Sequence, residues 1–210
     1  IRKVVIASTT HVYGENPNLP YKEEYFPQPS GPYETSKACA DLIAQSFVDS
    51  YSLPVEIPRF VNLYGPGDFN FSRVVPKVIK SVIEGKNPEV WDVSVVRDFL
   101  YIDDAVRAYL FLAEKDFPNI KKVAVINFGS GAPVSIIDLA KKIVELSGDK
   151  SLAVKPIKAP ADRTKEIKEQ YVSIEKAEQA LGWKPIYSLE EGLNVTLDWY
   201  RKNLPRINVR

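Results

Sequence analysis

The sequence predicts an α/β fold with a mainly parallel sheet. Short β-branched runs alternate with longer segments whose apolar residues recur at helical spacing. The first such run ends in a cluster of hydroxyl residues, the place where open α/β sheets build their sites. Hydrophobic residues make up 45% and charged residues 26% of 210, so there is ample material for a core and none of the bias of a disordered chain.

In order, Lys3-Val4-Val5-Ile6-Ala7 reads as a buried strand running into Ser8-Thr9-Thr10. Residues 14 to 32, punctuated by Gly14, Pro17, Pro20, Pro27, Pro29, Gly31 and Pro32, read as an ordered loop. Ser30 is the expected helix-start residue. Between about Tyr33 and Tyr51, Cys39, Leu42, Ile43 and Phe47 recur at helical spacing, widened by Ala40, Ala44 and Val48. That stripe, Cys39 included, is expected to face the core. Val55–Phe60 is the next strand, at an edge or irregular because of Pro58.

A helix is expected over about Ser72–Glu84, then two short strands around a turn in Glu89–Ile102. Asp103 is expected to cap a helix to about Ala113, and Val123–Ile126 to form a buried strand entering the Gly129-Ser130-Gly131 turn. Ser135 starts a helix that Gly148 stops. A strand near Leu152–Pro156 and helices at about Ser173–Leu181 and Leu189–Asn203 complete the series.

Lys plus Arg number 28 and Asp plus Glu 27, a balance that gives no support to a nucleic-acid or anionic-membrane surface. No apolar run reaches the roughly 18 residues of a membrane-spanning helix. With one cysteine and one histidine, His11, a metal site built on those ligands is not expected, and a reducing cytoplasm suits the composition. The chain begins at Ile1 and contains no methionine, so it is expected to be a piece of a longer protein or a processed chain.

The chemistry centres on Ser30-Gly-Pro-Tyr33-Glu-Thr-Ser-Lys37. A tyrosine and a lysine four apart share one helix face, with Cβ atoms about 5–6 Å apart. The ammonium favours the phenolate, which can then take a proton from a sugar hydroxyl near neutral pH. Alone, the same spacing equally describes an exposed pair on a first helical turn. Upstream stands Ala7-Ser8-Thr9-Thr10-His11-Val12-Tyr13-Gly14. Downstream come Arg59-Phe60-Val61-Asn62-Leu63-Tyr64-Gly65-Pro66-Gly67, Arg97-Asp98-Phe99-Leu100-Tyr101, and Leu181-Gly182-Trp183-Lys184-Pro185. In this order the motifs resemble the extended short-chain dehydrogenase/reductases, the NAD-dependent nucleotide-sugar epimerases and dehydratases.

The resemblance implies the C-terminal part of a Rossmann doubly wound parallel sheet plus a smaller α/β substrate-binding domain. Residues 1–63 would be a Rossmann portion with the catalytic pair, 64–97 a substrate-domain segment, 98–128 a return to the Rossmann portion, and 129–210 the C-terminal substrate-binding domain. Tyr33 would be the catalytic base and Lys37 its partner and a holder of the cofactor ribose. Thr9 would bond the sugar oxygen being oxidised. Phe60 would flank the nicotinamide, and Asn62 the nucleotide-sugar phosphates. Arg97, with Arg73 and Arg163 as weaker candidates, would grip the diphosphate. Asp98 and Tyr101 would support Arg97 and local packing. The implied cofactor is NAD, with NADP left open, and the implied partner a nucleotide-diphosphate sugar; the complete protein would be a homodimer.

Thr10 and His11 carry no carboxylate where several dehydratase groups place acids, which points to a 4-epimerase. His11 itself reads as a hydrogen-bonded structural residue. Lys37–Gln45, Gly67–Arg73 and Glu166–Tyr171 look closer to the CDP-glucose 4,6-dehydratase branch, so a dehydratase and a non-catalytic nucleotide-sugar-binding remnant stay open. The glycine-rich loop and acidic ribose-binding residue of such folds are not in these 210 residues, so the chain alone is expected to bind NAD poorly.

Overall fold

The computed structural model describes residues 3–91, 94–114, 124–160 and 167–206. In chain order it contains β1 (Val4–Val5), β2 (Ser8–Thr9), α1 (Pro32–Tyr51), β3 (Val55–Phe60), β4 (Asn62–Tyr64) and α2 (Val74–Ile83). These are followed by β5 (Glu89–Trp91), β6 (Val96–Arg97), β7 (Phe99–Tyr101), α3 (Ile102–Glu114), β8 (Ala124–Phe128) and β9 (Val134–Ser135). Then come α4 (Ile136–Ser147), β10 (Lys155–Ile157), β11 (Glu169–Gln170), α5 (Glu175–Leu181) and α6 (Leu189–Asn203). The chain divides into two compact units. One comprises Ile1–Leu63, Asp98–Ala132 and Gln170–Ile186; the other comprises Tyr64–Arg97, Pro133–Glu169 and Tyr187–Arg210.

The first unit is built on a parallel sheet with β3 at its centre. β1 and β2 lie in succession along one flank of β3 (Val4 opposite Val55, Thr9 opposite Phe60), and β8 runs along the other, with Phe60 opposite Phe128. All six β3 residues are buried, so Pro58 stands in the middle of a sheet and not at an edge. The cost appears in the flanking strand. Ile6 N–H donates to the Glu56 carbonyl at 2.9 Å, and the next donor pointing back would be residue 58, which as proline has none. The extended run therefore breaks between β1 and β2.

α1 starts at Gly31 with Pro32 in its first turn, so Ser30 is not the cap. Its buried face consists of Ala38, Asp41, Ala44 and Val48. The stripe expected in the core faces outward instead: Leu42, Ile43 and Phe47 are 57%, 59% and 45% exposed, and Cys39 is an exposed thiol. Periodicity reveals that a stripe exists, not what it packs on.

The segment expected to belong wholly to a C-terminal domain, 129–210, is divided. Residues 170–186 pack on the first unit, where Tyr21 N–H donates to Tyr171 O and Ser173 N–H to Tyr21 O, each at 2.9 Å. Trp183 is fully buried there, edge-on to Phe128 at 4.9 Å, and its indole N–H donates to Asp104 O at 3.3 Å. Asp104, buried in the first turn of α3, accepts from Ile186 N–H at 3.0 Å and pairs with Arg107 at 2.6 Å. Asp103 lies inside that turn and does not precede it. Residues 129–132 also join the first unit: Gly129 passes so close to Asp98 that a Cβ there would meet Asp98 Oδ2 at 2.4 Å.

In the second unit α2, α4 and α6 pack on one another through Val75, Val78, Ile79, Leu139, Ile143, Leu193 and Leu197. Ser135 caps α4 by accepting from Asp138 N–H, and Gly148 ends it in the left-handed region, as expected. Ser188 and Glu191 close a capping box on α6. Among the described residues of the stretch expected as two short strands around a turn, three strands pair with other segments: β5 in parallel with β10, β6 antiparallel with β9, and β7 with β4.

Trp183→Ala should destabilise the first unit by about 3–5 kcal/mol, because an indole volume cannot be refilled inside a packed core. Gly129→Ala should cost about 1–3 kcal/mol through the enforced shift against Asp98. Urea denaturation followed by circular dichroism measures both; midpoints equal to that of the unaltered protein would contradict them.

Candidate active site

Thr9, at the carboxyl end of β2, opens the constellation. Its hydroxyl caps the 3-10 turn Thr10–Tyr13 by accepting from His11 N–H at 3.3 Å, and it also makes a long 3.5 Å contact with the Phe60 carbonyl. That turn buries Thr10, Val12 and Tyr13 and leaves His11 half-buried, its ring edge-on to Tyr33 at 6.4 Å. Tyr33, in the first turn of α1, is 55% exposed. Lys37, one turn on, donates from Nζ to the Ala7 carbonyl at 3.1 Å. Thr9, Tyr33 and Lys37 are thus gathered at one end of the β1–β2 flank. What unites them is that α1 runs over the strand end with its N-terminal turn beyond the sheet.

The Phe60 ring is buried in the core, 5.1 Å from both Phe128 and Tyr109, and its carbonyl is the part that meets Thr9. Asn62 is half-buried in β4, its N–H donating to Asp98 O at 3.2 Å. The Asp98 carboxylate accepts from the Ser130 N–H and hydroxyl and from Gly131 N–H, fastening the turn after β8. Burial pushes that carboxyl above its ordinary range, and the Ser130 and Gly131 bonds pull it part of the way back.

Two of the three candidate arginines fall in the second unit. Arg97, in the second unit, is buried and donates to the Val96 and Lys168 carbonyls at 2.9 and 3.3 Å. Arg73, also in the second unit, is mostly exposed and pairs with Asp68 at 3.0 Å. Arg163 lies outside the described residues.

Sequence reasoning missed a buried polar chain behind the site. Arg59 Nε donates to Asp41 Oδ2 at 2.8 Å, both side chains being essentially inaccessible. The guanidinium carbon lies 4.8 Å from the centre of the Tyr13 ring, and the Tyr13 hydroxyl donates to Asn127 Oδ1 at 2.7 Å. Burial pushes the Tyr13 phenol up to about 12 despite the opposing pull of Arg59, so it stays protonated and acts as a fixed donor. Two signals pointed there: Asp41 continues the Tyr33–Lys37 spacing by four, and a charged residue inside a buried strand needs a partner.

Known proteins share this framework. The family model described as GDP-mannose 4,6 dehydratase matches residues 1–196. The mouse (Mus musculus) dTDP-D-glucose 4,6-dehydratase is 32% identical over 207 residues, covering 97% of this chain and 57% of that protein. The chain therefore spans a little over half the length of that relative. The solved dTDP-glucose 4,6-dehydratase of Bacillus anthracis in complex with NAD superimposes with a TM-score of 0.84 at 29% identity, over 96% of this chain and 62% of that one. The Thermotoga maritima UDP-glucose 4-epimerase with UDP-glucose gives 0.86 at 31% identity, over 97% and 65%. The family match over residues 1–196, together with these likenesses in sequence and in the parallel sheet, places this chain in the nucleotide-sugar epimerase/dehydratase family of the extended short-chain dehydrogenase/reductases.

Proposed function

We propose that the chain carries the proton-transfer side of an NAD-dependent nucleotide-diphosphate-sugar 4-epimerase. The observation that best supports this is the meeting of Tyr33, Lys37 and Thr9 at one strand end, with no carboxylate at positions 10 and 11. The groups suit a dinucleotide's ribose and nicotinamide edge. Lys37 spends one of its three N–H donors on Ala7, and the Tyr33 hydroxyl-bearing ring is open to solvent. Lys37 and Tyr33 would hold the ribose, and the Phe60 backbone would line the nicotinamide edge. When bound, NAD would accept a hydride from C4 of the sugar and return it; NADP in its place is an outcome of the same assay.

Tyr33 would take the proton of the sugar 4-hydroxyl, and Lys37 would favour the phenolate that does so. Thr9 would orient that oxygen through its hydroxyl. Asn62, Arg97 and, more peripherally, Arg73 and Arg163 would serve the phosphates, for which a guanidinium fork is well shaped. The second reading, a 4,6-dehydratase, is favoured by His11, an acid–base side chain standing beside Tyr33. A cytoplasmic setting is the proposed location, in keeping with the exposed Cys39 thiol.

Incubation with NAD and UDP-, dTDP-, CDP- or GDP-glucose separates the readings by mass and chromatography. An epimerase returns a product of unchanged mass and altered retention; a dehydratase returns one lighter by a water. Binding without turnover by the complete protein would mark a nucleotide-sugar-binding remnant and overturn the enzyme reading. Tyr33→Phe should lower turnover by about 10²–10⁴-fold with sugar-nucleotide affinity nearly unchanged, as read by steady-state kinetics and calorimetry.

We further propose a homodimer. The outward stripe of α1, Leu42, Ile43, Phe47 and Tyr51, is the kind of apolar surface that a helix bundle with a second copy covers. Light scattering at micromolar concentration should give twice the chain mass. The mass of one chain would remove the dimer.

A further inference from the structure

Tyr33, Lys37, Asp41, Ala44 and Val48 succeed one another at steps of four, four, three and four residues, forming one stripe along α1. The stripe is buried from Asp41 to Val48 and opens at its N-terminal end, where Tyr33 and Lys37 reach the strand end. A neighbouring stripe, Leu42, Ile43 and Phe47, is bulkier and more apolar, yet it faces outward. If apolar area alone decided, the helix would turn that second stripe to the sheet, because the free energy of burial grows with the area removed from water. The inward stripe has one thing the outward stripe lacks, a carboxylate.

Arg59 supplies the reason. It lies in the central strand, 2% exposed, with Asp41 Oδ2 2.8 Å from its Nε. Turning α1 to its apolar stripe would leave that guanidinium buried without a counter-ion, which is among the most unfavourable arrangements a core can hold. Arg59 is held from its other side by the Tyr13 ring, and the Tyr13 hydroxyl is tied to Asn127. Tyr13 closes the turn that carries His11, and Arg59 stands next to Phe60, the β3 residue paired with Thr9. One guanidinium therefore references α1, the turn after Thr9 and β8 to one another.

We infer that Asp41 and Arg59 are positioning residues whose ion pair selects the face of α1 that packs on the sheet, and so places Tyr33 and Lys37 beside Thr9. The consequence for turnover rests on the enzyme reading above; the consequence for the helix face does not. A buried ion pair adds little net stability, and apolar replacements of similar volume are often neutral or stabilising. Stability and placement can therefore be separated.

The test compares the protein with its Asp41→Leu/Arg59→Met variant. The urea midpoint should hold or rise. Turnover should fall about a hundredfold, the scale on which small misplacements of catalytic groups act, with KM for the nucleotide sugar within about twofold. Asp41→Glu, which keeps the carboxylate, should recover most of that loss. A readout independent of turnover is the alkylation rate of an Ala44→Cys thiol in a Cys39→Ser background, at a concentration where scattering gives the mass of one chain. It should be protected with the ion pair present and react at least about tenfold faster in the apolar variant, as expected when a core position becomes accessible. Unchanged thiol protection together with unchanged turnover would overturn the inference. If the unaltered protein turns over no nucleotide sugar, the enzyme reading fails while the thiol comparison still decides the role of the pair. If the apolar variant does not fold, Asp41→Asn is compared in the same way, and an unchanged thiol rate there overturns the inference.

Discussion

An arginine in the middle of a buried strand has to be neutralised where it stands, and Arg59 is neutralised by Asp41 at 2.8 Å. The strand that carries it also carries Glu56, three residues earlier and hence on the opposite face of the sheet. Glu56 pairs with Lys3 at 3.1 Å, and Lys3 also donates to the Leu112 carbonyl at the end of α3. Burial raises the Glu56 carboxyl, and Lys3 opposes the rise. Each face of the central strand thus has one charge with a specific partner, Asp41 of the overlying α1 for Arg59 and Lys3, just before the neighbouring β1, for Glu56. The apolar contacts around these pairs, Ala44, Val48, Val55 and Ile57 on one side and Ala105, Ala108 and Leu112 in the main core, supply bulk attraction without direction. The charges supply the direction.

Where the determinants of structure are local, they are legible in the sequence. Ser135 with Asp138 and Ser188 with Glu191 are caps three residues apart, and α4 and α6 begin where those pairs say they do. Gly148 at the end of α4 takes a positive φ that β-branched residues resist, so the stop is equally local. Tyr33 and Lys37 are legible for the same reason, being one helical turn apart. What could not be read depends on partners distant in the chain. The facing of α1 is decided by Arg59, eighteen residues beyond Asp41. The return of 170–186 to the first unit is decided by Tyr21 and Phe128, and the central position of β3 by β8, whose residues are more than sixty positions downstream. Pro58 argued for an edge because proline forfeits a ladder bond; the sheet instead accepts the loss and breaks the neighbouring strand at that point.

Phe60 shows the same limit inside the site. Its place in the motif implied a residue flanking the nicotinamide, and alternation along a strand puts successive side chains on opposite faces. With Arg59 directed toward α1, Phe60 must point to the other layer, where it meets Phe128 and Tyr109. Its carbonyl contacts the Thr9 hydroxyl, and its ring is part of the core.

The two tyrosines around Thr9 show how burial divides labour between identical side chains. Tyr13 is fully buried, over the Arg59 guanidinium, and its phenol is pushed up to about 12 because desolvation outweighs the attraction of the cation. A phenol so raised keeps its proton throughout the physiological range and spends it on Asn127, which in turn donates to Tyr21 O. Its service is to fix geometry. Tyr33 stands at the open end of the helix stripe, solvated, with the Lys37 ammonium one turn away. Desolvation falls on the tyrosine that holds the turn, while Tyr33 at the end of the helix stripe stays open to solvent. The turn after Thr9 encloses one ring to fix the backbone, and the first turn of α1 leaves the other ring accessible.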